Sequence, residues 1–110
     1  MEFSFIIPVL VVDENEPVRK SLHHLVTTAD DIKILATATN GIDAVEKARS
    51  DQPDVAVMDI SMPLMDGFEA TELIRECCGP TPVIIFSGVK GPEYVRRALE
   101  VGTKGYVLKR

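Results

Sequence analysis

Residues 55–67 read VAVMDISMPLMDG, and this stretch decides the fold. Val55 to Met58 is an apolar run of strand length that stops on an acid, Asp59, while Asp66-Gly67 is a turn pair. From Phe68 to Cys77 the apolar spacing becomes helical. Strand, polar loop and helix make half of a βαβ unit, and the same order recurs on both sides. Further strands are predicted over Val9–Val12, Ile32–Ala38, Val83–Phe86 and Tyr106–Leu108. Most are continuous apolar runs, as strands buried on both faces should be. Further helices are predicted from Pro17 to about Thr28, from Ile42 to Arg49, and from Pro92 to Val101, where Gly102 stops the last. The first is capped by Asn15 or Glu16 and carries Leu22, Leu25 and Val26 as its apolar stripe. Strict alternation with right-handed crossovers predicts an α/β fold: a flavodoxin-like, doubly wound, five-stranded parallel sheet in the order 2-1-3-4-5.

Composition bounds the function. A chain of 110 residues with 45% hydrophobic and 26% charged residues suits one globular domain over residues 1–110. A formal charge of −5 with no basic stripe argues against direct nucleic-acid binding. Met1 to Val12 is apolar but short, lacks a basic start and runs into Asp13, which argues against a membrane span or secretion signal. Cys77 and Cys78 are adjacent and poorly placed to bridge, so they are expected as reduced thiols of a cytoplasmic protein.

Doubly wound sheets bind ligands at the carboxyl ends of their strands, where the winding reverses, here between the first and third strands. The polar residues fall there. Asp13 and Glu14 close the first strand, Asp59 the third, Ser87 the fourth and Lys109 the fifth. Three carboxylates in one crevice repel each other unless protonated or bridged by a cation. An all-oxygen donor set selects a hard ion, magnesium or manganese in its place, with Asp13, Glu14, Asp59 and the backbone carbonyl of Ser61 as expected ligands. Phosphoryl transfer needs little more than a placed nucleophile and charge stabilisation. Asp59 would attack to give an acyl phosphate, Lys109 would neutralise charge, the Ser87 hydroxyl would bond a phosphoryl oxygen, and Gly88 would let the backbone approach.

Together these residues resemble the receiver domain of two-component response regulators, from Pro8 to Lys109. The resemblance rests on Asp13-Glu14, on DISMPLMDG headed by Asp59, on Ser87-Gly88 and on GTKGYVLK ending in Lys109. It implies that Asp59 is phosphorylated by a sensor histidine kinase, that the acidic pair and Asp59 hold the metal, and that Ser87 and Lys109 read the phosphoryl group. It further implies a switch role for Ser87 and Tyr106, the tyrosine ring turning inward as Ser87 moves. Such a domain is a cytoplasmic phosphoprotein that catalyses only its own phosphorylation and dephosphorylation. The wording of the motifs is closest to receivers joined to helix-turn-helix DNA-binding outputs, which implies transcription regulation through a domain not in this chain. Three features depart from the family pattern: Glu14 stands where Asp is commoner, Arg110 where Pro is common, and the sequence stops before a fifth helix. A sheet face lacking that helix would be left apolar and bare, which predicts a homodimer or a domain swap.

Taken singly, each residue has an ordinary reading. Asp13 and Glu14 suit a helix amino terminus, Asp59 and Ser87 suit loops, Lys109 suits an edge strand and Tyr106 suits strand packing. His23 and His24 are expected as helix-surface residues, and Met58, Met62 and Met65 as core and loop filler. Jointly the ordinary readings do not predict which residue type ends each of four strands. Flavin binding is disfavoured because Asp13-Glu14-Asn15-Glu16 would repel a phosphate. A haloacid-dehalogenase-like phosphatase lacks its second Asp, since Ser61 stands there. The rival left open is a receiver-like interaction module that is never phosphorylated.

Overall fold

In the computed structural model, which describes residues 6–109, the elements alternate without exception. They are β1 (Ile7–Val12), α1 (Glu16–Thr27), β2 (Ile32–Ala38), α2 (Gly41–Asp51), β3 (Val55–Met58), α3 (Gly67–Cys78), β4 (Val83–Ser87), α4 (Pro92–Val101) and β5 (Gly105–Leu108). The five strands form one parallel sheet in the order β2-β1-β3-β4-β5, as expected from the alternation. The expectations attached to Met1–Phe5 and to Arg110 lie outside the described residues. No helix among them is long and apolar enough to cross a membrane.

The winding explains where the core sits. From β1 the chain steps one way to β2 and the other way to β3, so right-handed crossovers put α1 on one face and α2, α3 and α4 on the other. The main core lies on the three-helix side, where Leu10, Val12, Ala56, Met58 and Ile85 meet Ala44, Ala48, Phe68, Ile74 and Ala98. Val9 and Val11 alternate with the core residues of β1 and so belong to the opposite face.

Burial is less complete away from that core. The stripe on α1 is not sealed: α1 contributes no buried residue, and Leu25 keeps 64% of its surface exposed. A cavity of about 260 Å³ lies between Pro17, Val18, Leu22 and Leu25 on one side and Phe86 and the Lys109 stem on the other. β2, at the edge of the sheet, alternates half-buried and exposed residues from Ile32 to Thr37. Cys77 and Cys78 end α3 side by side, Cys77 exposed and Cys78 half-buried against the core.

Gly67 fixes how α3 meets the end of β3. Asp66 caps the helix, its side chain accepting from the Glu69 amide at 2.9 Å. The next residue, Gly67, donates its amide to the Ile60 carbonyl at 2.8 Å, and a Cβ there would collide with the Asp59 carbonyl oxygen. Gly41 is pressed against Met65 of the same loop in the same way. Gly88, by contrast, has nothing within 4 Å of a would-be Cβ.

These neighbours predict opposite outcomes for two glycine substitutions. Gly67→Ala gains roughly 1 kcal/mol of helix propensity yet forces backbone apart, so urea unfolding should show a net loss of about 2–4 kcal/mol. Gly88→Ala should stay within about 0.5 kcal/mol of the parent. Equal stabilities for the two variants would refute this account of the loop.

Candidate functional site

The sheet ladder continues one residue beyond the strands and pins the backbone of the site. Asp13 donates its amide to the Ala38 carbonyl at 3.0 Å, Asp59 to Val12 at 2.9 Å and Lys109 to Ser87 at 2.9 Å. Each residue is therefore aimed by its neighbouring strand rather than by a free loop. Asp13 is further held by Arg19, whose guanidinium donates to its carbonyl at 2.8 Å, and by the Asn15 amide, which donates to its carboxylate at 2.9 Å.

The side chains converge. The Lys109 ammonium lies 2.6 Å from Asp13 Oδ2 and 3.2 Å from Asp59 Oδ1. Both carboxylates are buried, Asp13 at 2% exposure and Asp59 at 7%. The Ile60 amide donates to Asp59 Oδ1 at 2.9 Å, and the Lys109 ammonium stands 5.8 Å from the centre of the Phe86 ring, within cation–π range.

Burial pushes the Asp59 carboxyl above its ordinary range, and the Asp13 charge adds to that, while Lys109 and the Ile60 amide pull the other way. For Lys109, desolvation favours the neutral amine, but its hydrogen bonds to Asp13 and Asp59 outweigh that and hold the ammonium more firmly than usual.

Ser87 is buried, and its hydroxyl oxygen accepts from the Val89 amide at 3.1 Å. Tyr106 is half-buried against the core, and its hydroxyl donates to the carbonyl of that same Val89. Burial raises the Tyr106 phenol, with a hydrogen bond to Ser87 opposing the shift. Of the residues singled out from sequence, Asp13, Asp59 and Lys109 form one contact cluster, with Ser87 and Tyr106 linked through Val89. Glu14 and Ser61 are exposed, and no recorded hydrogen bond or ion pair joins them to the cluster. Gly88 borders open space.

No group of three His, Cys, Asp or Glu side chains arranged for a metal occurs among the described residues. The donor chemistry nonetheless fits a hard cation. Two buried carboxylates share a single ammonium, and the positive charge opposing them is too small to keep Asp59 at its ordinary proton affinity. Sequence reasoning missed Arg19, Phe86, Gly41 and Gly67, because each acts on the site through a contact that no motif encodes.

Comparison with known proteins gives one answer. The family model for the response regulator receiver domain matches residues 9–110. Among curated relatives, the transcriptional regulatory protein LnrK of Bacillus subtilis is 36% identical over 94% of this chain, which spans 47% of that protein. A protein-glutamate methylesterase/protein-glutamine glutaminase of Syntrophomonas wolfei is 42% identical over 92% of the chain, which spans 29% of it. Among solved structures, the CheX-CheY-BeF3-Mg complex of Borrelia burgdorferi has a chain similar with a TM-score of 0.89 and 30% identity, over 96% of this chain and 80% of that one.

A raised Asp59 carboxyl predicts a pH-dependent stability of definite sign. The folded chain binds that proton more tightly than the unfolded one, so the ionised carboxylate costs stability above its folded pKa, and the cost disappears as pH falls below the unfolded value near 3.8. Asp59→Asn should therefore be the more stable protein at pH 7, with the higher Tm in a thermal melt. The gap should shrink as the pH of the melt is lowered toward 4. A variant less stable than the parent at neutral pH would contradict the assignment.

Proposed function

We propose that this chain, which belongs to the response regulator receiver domain family, accepts a phosphoryl group on the Asp59 carboxylate from a sensor histidine kinase and changes its partner contacts in response. The observation carrying this reading is that the Lys109 ammonium, from the end of β5, reaches across β4 to the buried carboxylates of Asp13 and Asp59 at the ends of β1 and β3. Residues 1–110 are taken as one receiver domain.

In the proposed transfer an Asp59 oxygen forms the bond to phosphorus as the bond from phosphorus to the kinase histidine breaks, the imidazole leaving with the electron pair. Lys109 stays beside the nucleophile and neutralises charge on the transferred group. Asp13 and Asp59, with Glu14 and the Ser61 carbonyl from the rim, would hold a magnesium or manganese ion. When bound, that ion supplies charge neutralisation at the phosphoryl oxygens. Gly88 leaves room for the group, and the Ser87 hydroxyl bonds one of its oxygens, which requires it to give up the Val89 amide. Tyr106 holds the other side of Val89, so a moving Ser87 would release both residues together and turn the tyrosine inward.

The domain acts on no substrate but itself in this reading, and output comes from whatever is joined to it. The likeness to the transcriptional regulatory protein LnrK supports transcription regulation, for which a DNA-binding output is our proposal, while the likeness to the methylesterase supports an enzymatic one. The formal charge of −5 supports an output that does not run through DNA contact by this domain. A cytoplasmic location goes with this role and with the expected reduced thiols of Cys77 and Cys78. Self-association is proposed through the open face of α1, where Leu25 and the neighbouring groove are exposed.

Two measurements test these readings. Intact mass after incubation with acetyl phosphate and magnesium should show one phosphoryl group on the parent, none on Asp59→Ala, and none with a chelator present. No adduct on the parent would favour the unphosphorylated interaction module. Light scattering across a dilution series should show a dimer that dissociates, and Leu25→Glu should shift it toward monomer. A parent that is monomeric at every concentration would remove the dimer.

A further inference from the structure

Beside the buried charge cluster lies a cavity of about 400 Å³ lined by Gly88, Lys90, Leu108 and Lys109. Its two lysines are in different situations. The Lys109 ammonium is already engaged by Asp13 and Asp59. Lys90 is exposed and enters no ion pair among the described residues. The open space above Gly88 gives the cavity its floor, since no protein atom comes within 4 Å of where a Cβ would stand.

The surroundings make that uncommitted charge matter. Asp13 and Asp59 face the same strand ends, Glu14 and Glu16 follow at the start of α1, and the Glu93 carboxylate sits beside Gly91, one residue after Lys90. A phosphodonor is an anion. It must enter a site whose near field is mostly negative, in a chain of formal charge −5.

We propose that this cavity is the entry site for anionic phosphodonors and that Lys90 is its positioning residue, drawing in dianionic donors in preference to less charged ones. The inference rests on the reading that Asp59 is the phosphoacceptor. With an acyl phosphate as donor, the bond between Asp59 oxygen and phosphorus forms as the phosphorus–oxygen bond to the acyl group breaks. The carboxylate leaves with the electron pair. Lys90 touches no reacting atom and moves no proton; its charge alone raises the local concentration of donor.

The test is the rate of phosphorylation by acetyl phosphate with magnesium, followed by intact mass over a series of ionic strengths. At low salt, Lys90→Gln should lower the apparent second-order rate constant roughly threefold to tenfold, as expected for one unit charge acting on a dianion over several ångströms. The gap should close at about 0.5 M salt, where screening acts over only a few ångströms. Lys90→Arg should restore the parent rate, and Glu93→Gln should raise it. Phosphoramidate, which carries less negative charge, should show a smaller loss with Lys90→Gln. A merely structural lysine would give a deficit independent of salt and donor charge, and that outcome overturns the proposal. So does a Lys90→Gln protein that matches the parent at every ionic strength while the parent is phosphorylated. A parent that takes no phosphoryl group overturns both this inference and the reading it rests on.

Discussion

One ammonium between two buried carboxylates is the constraint on which the rest of this structure depends. Lys109, Asp13 and Asp59 come from β5, β1 and β3, strands that lie apart in sequence, and their charged ends must meet to within hydrogen-bond distance. Removing the lysine would leave two carboxylates facing each other with little water, a far more costly arrangement than the pair of ion pairs itself. The geometry is secured by backbone: the amides of Asp13, Asp59 and Lys109 each close a ladder bond to the neighbouring strand. A one-residue slip between strands would turn the charged side chains to the other face. The site and the sheet register therefore specify each other.

The balance inside the cluster is deliberately incomplete. Two negative charges meet one positive charge, and burial leaves Asp59 with a raised proton affinity. A more basic carboxylate is a better nucleophile, and residual negative charge invites a further cation. The α1 side is packed less fully, since α1 buries no residue of its own and an apolar groove stays open from Leu25 to the Lys109 stem. Because Lys109 borders both the groove and the charge cluster, whatever occupies that groove contacts a side chain of the site.

Much of this was legible in the chain. An apolar run that stops on Asp13, Asp59 or Ser87 is a local signal, and alternation plus crossover handedness left one strand order to prefer. Helix edges differ by small steps with visible causes: α2 starts at Gly41 because Asn40 caps it by accepting from the Asp43 amide. What was not legible depends on neighbours in space. The glycine at 67 reads as a turn residue, yet what demands it is the Asp59 carbonyl eight positions earlier. Leu25 lies on an apolar stripe but has nothing to seal it. Glu14 follows Asp13 directly, and successive residues at a strand end point apart, so the acid beside a buried carboxylate is itself exposed.

Ser87 and Tyr106 meet at a single residue. Val89 is held at its amide by the Ser87 hydroxyl and at its carbonyl by the Tyr106 hydroxyl. Ser87 is almost fully buried, and in the proposed reading its hydroxyl gives up that amide to bond the phosphoryl group. Losing one bond to Val89 leaves a partly buried amide unsatisfied, which is tolerated only if the loop from Gly88 to Gly91 moves or a new acceptor arrives. Tyr106 is tied to that loop by its second bond and packs against the core on its other side, so loop movement changes the packing of β5. Two hydrogen bonds to one residue are thus the contacts through which the proposed phosphorylation of Asp59 would reach the α4 and β5 surface. Lys90, next in the chain after Val89, would move with the loop. On the two proposals together, the segment that would draw in an anionic donor is the one that would move once the phosphoryl group is received.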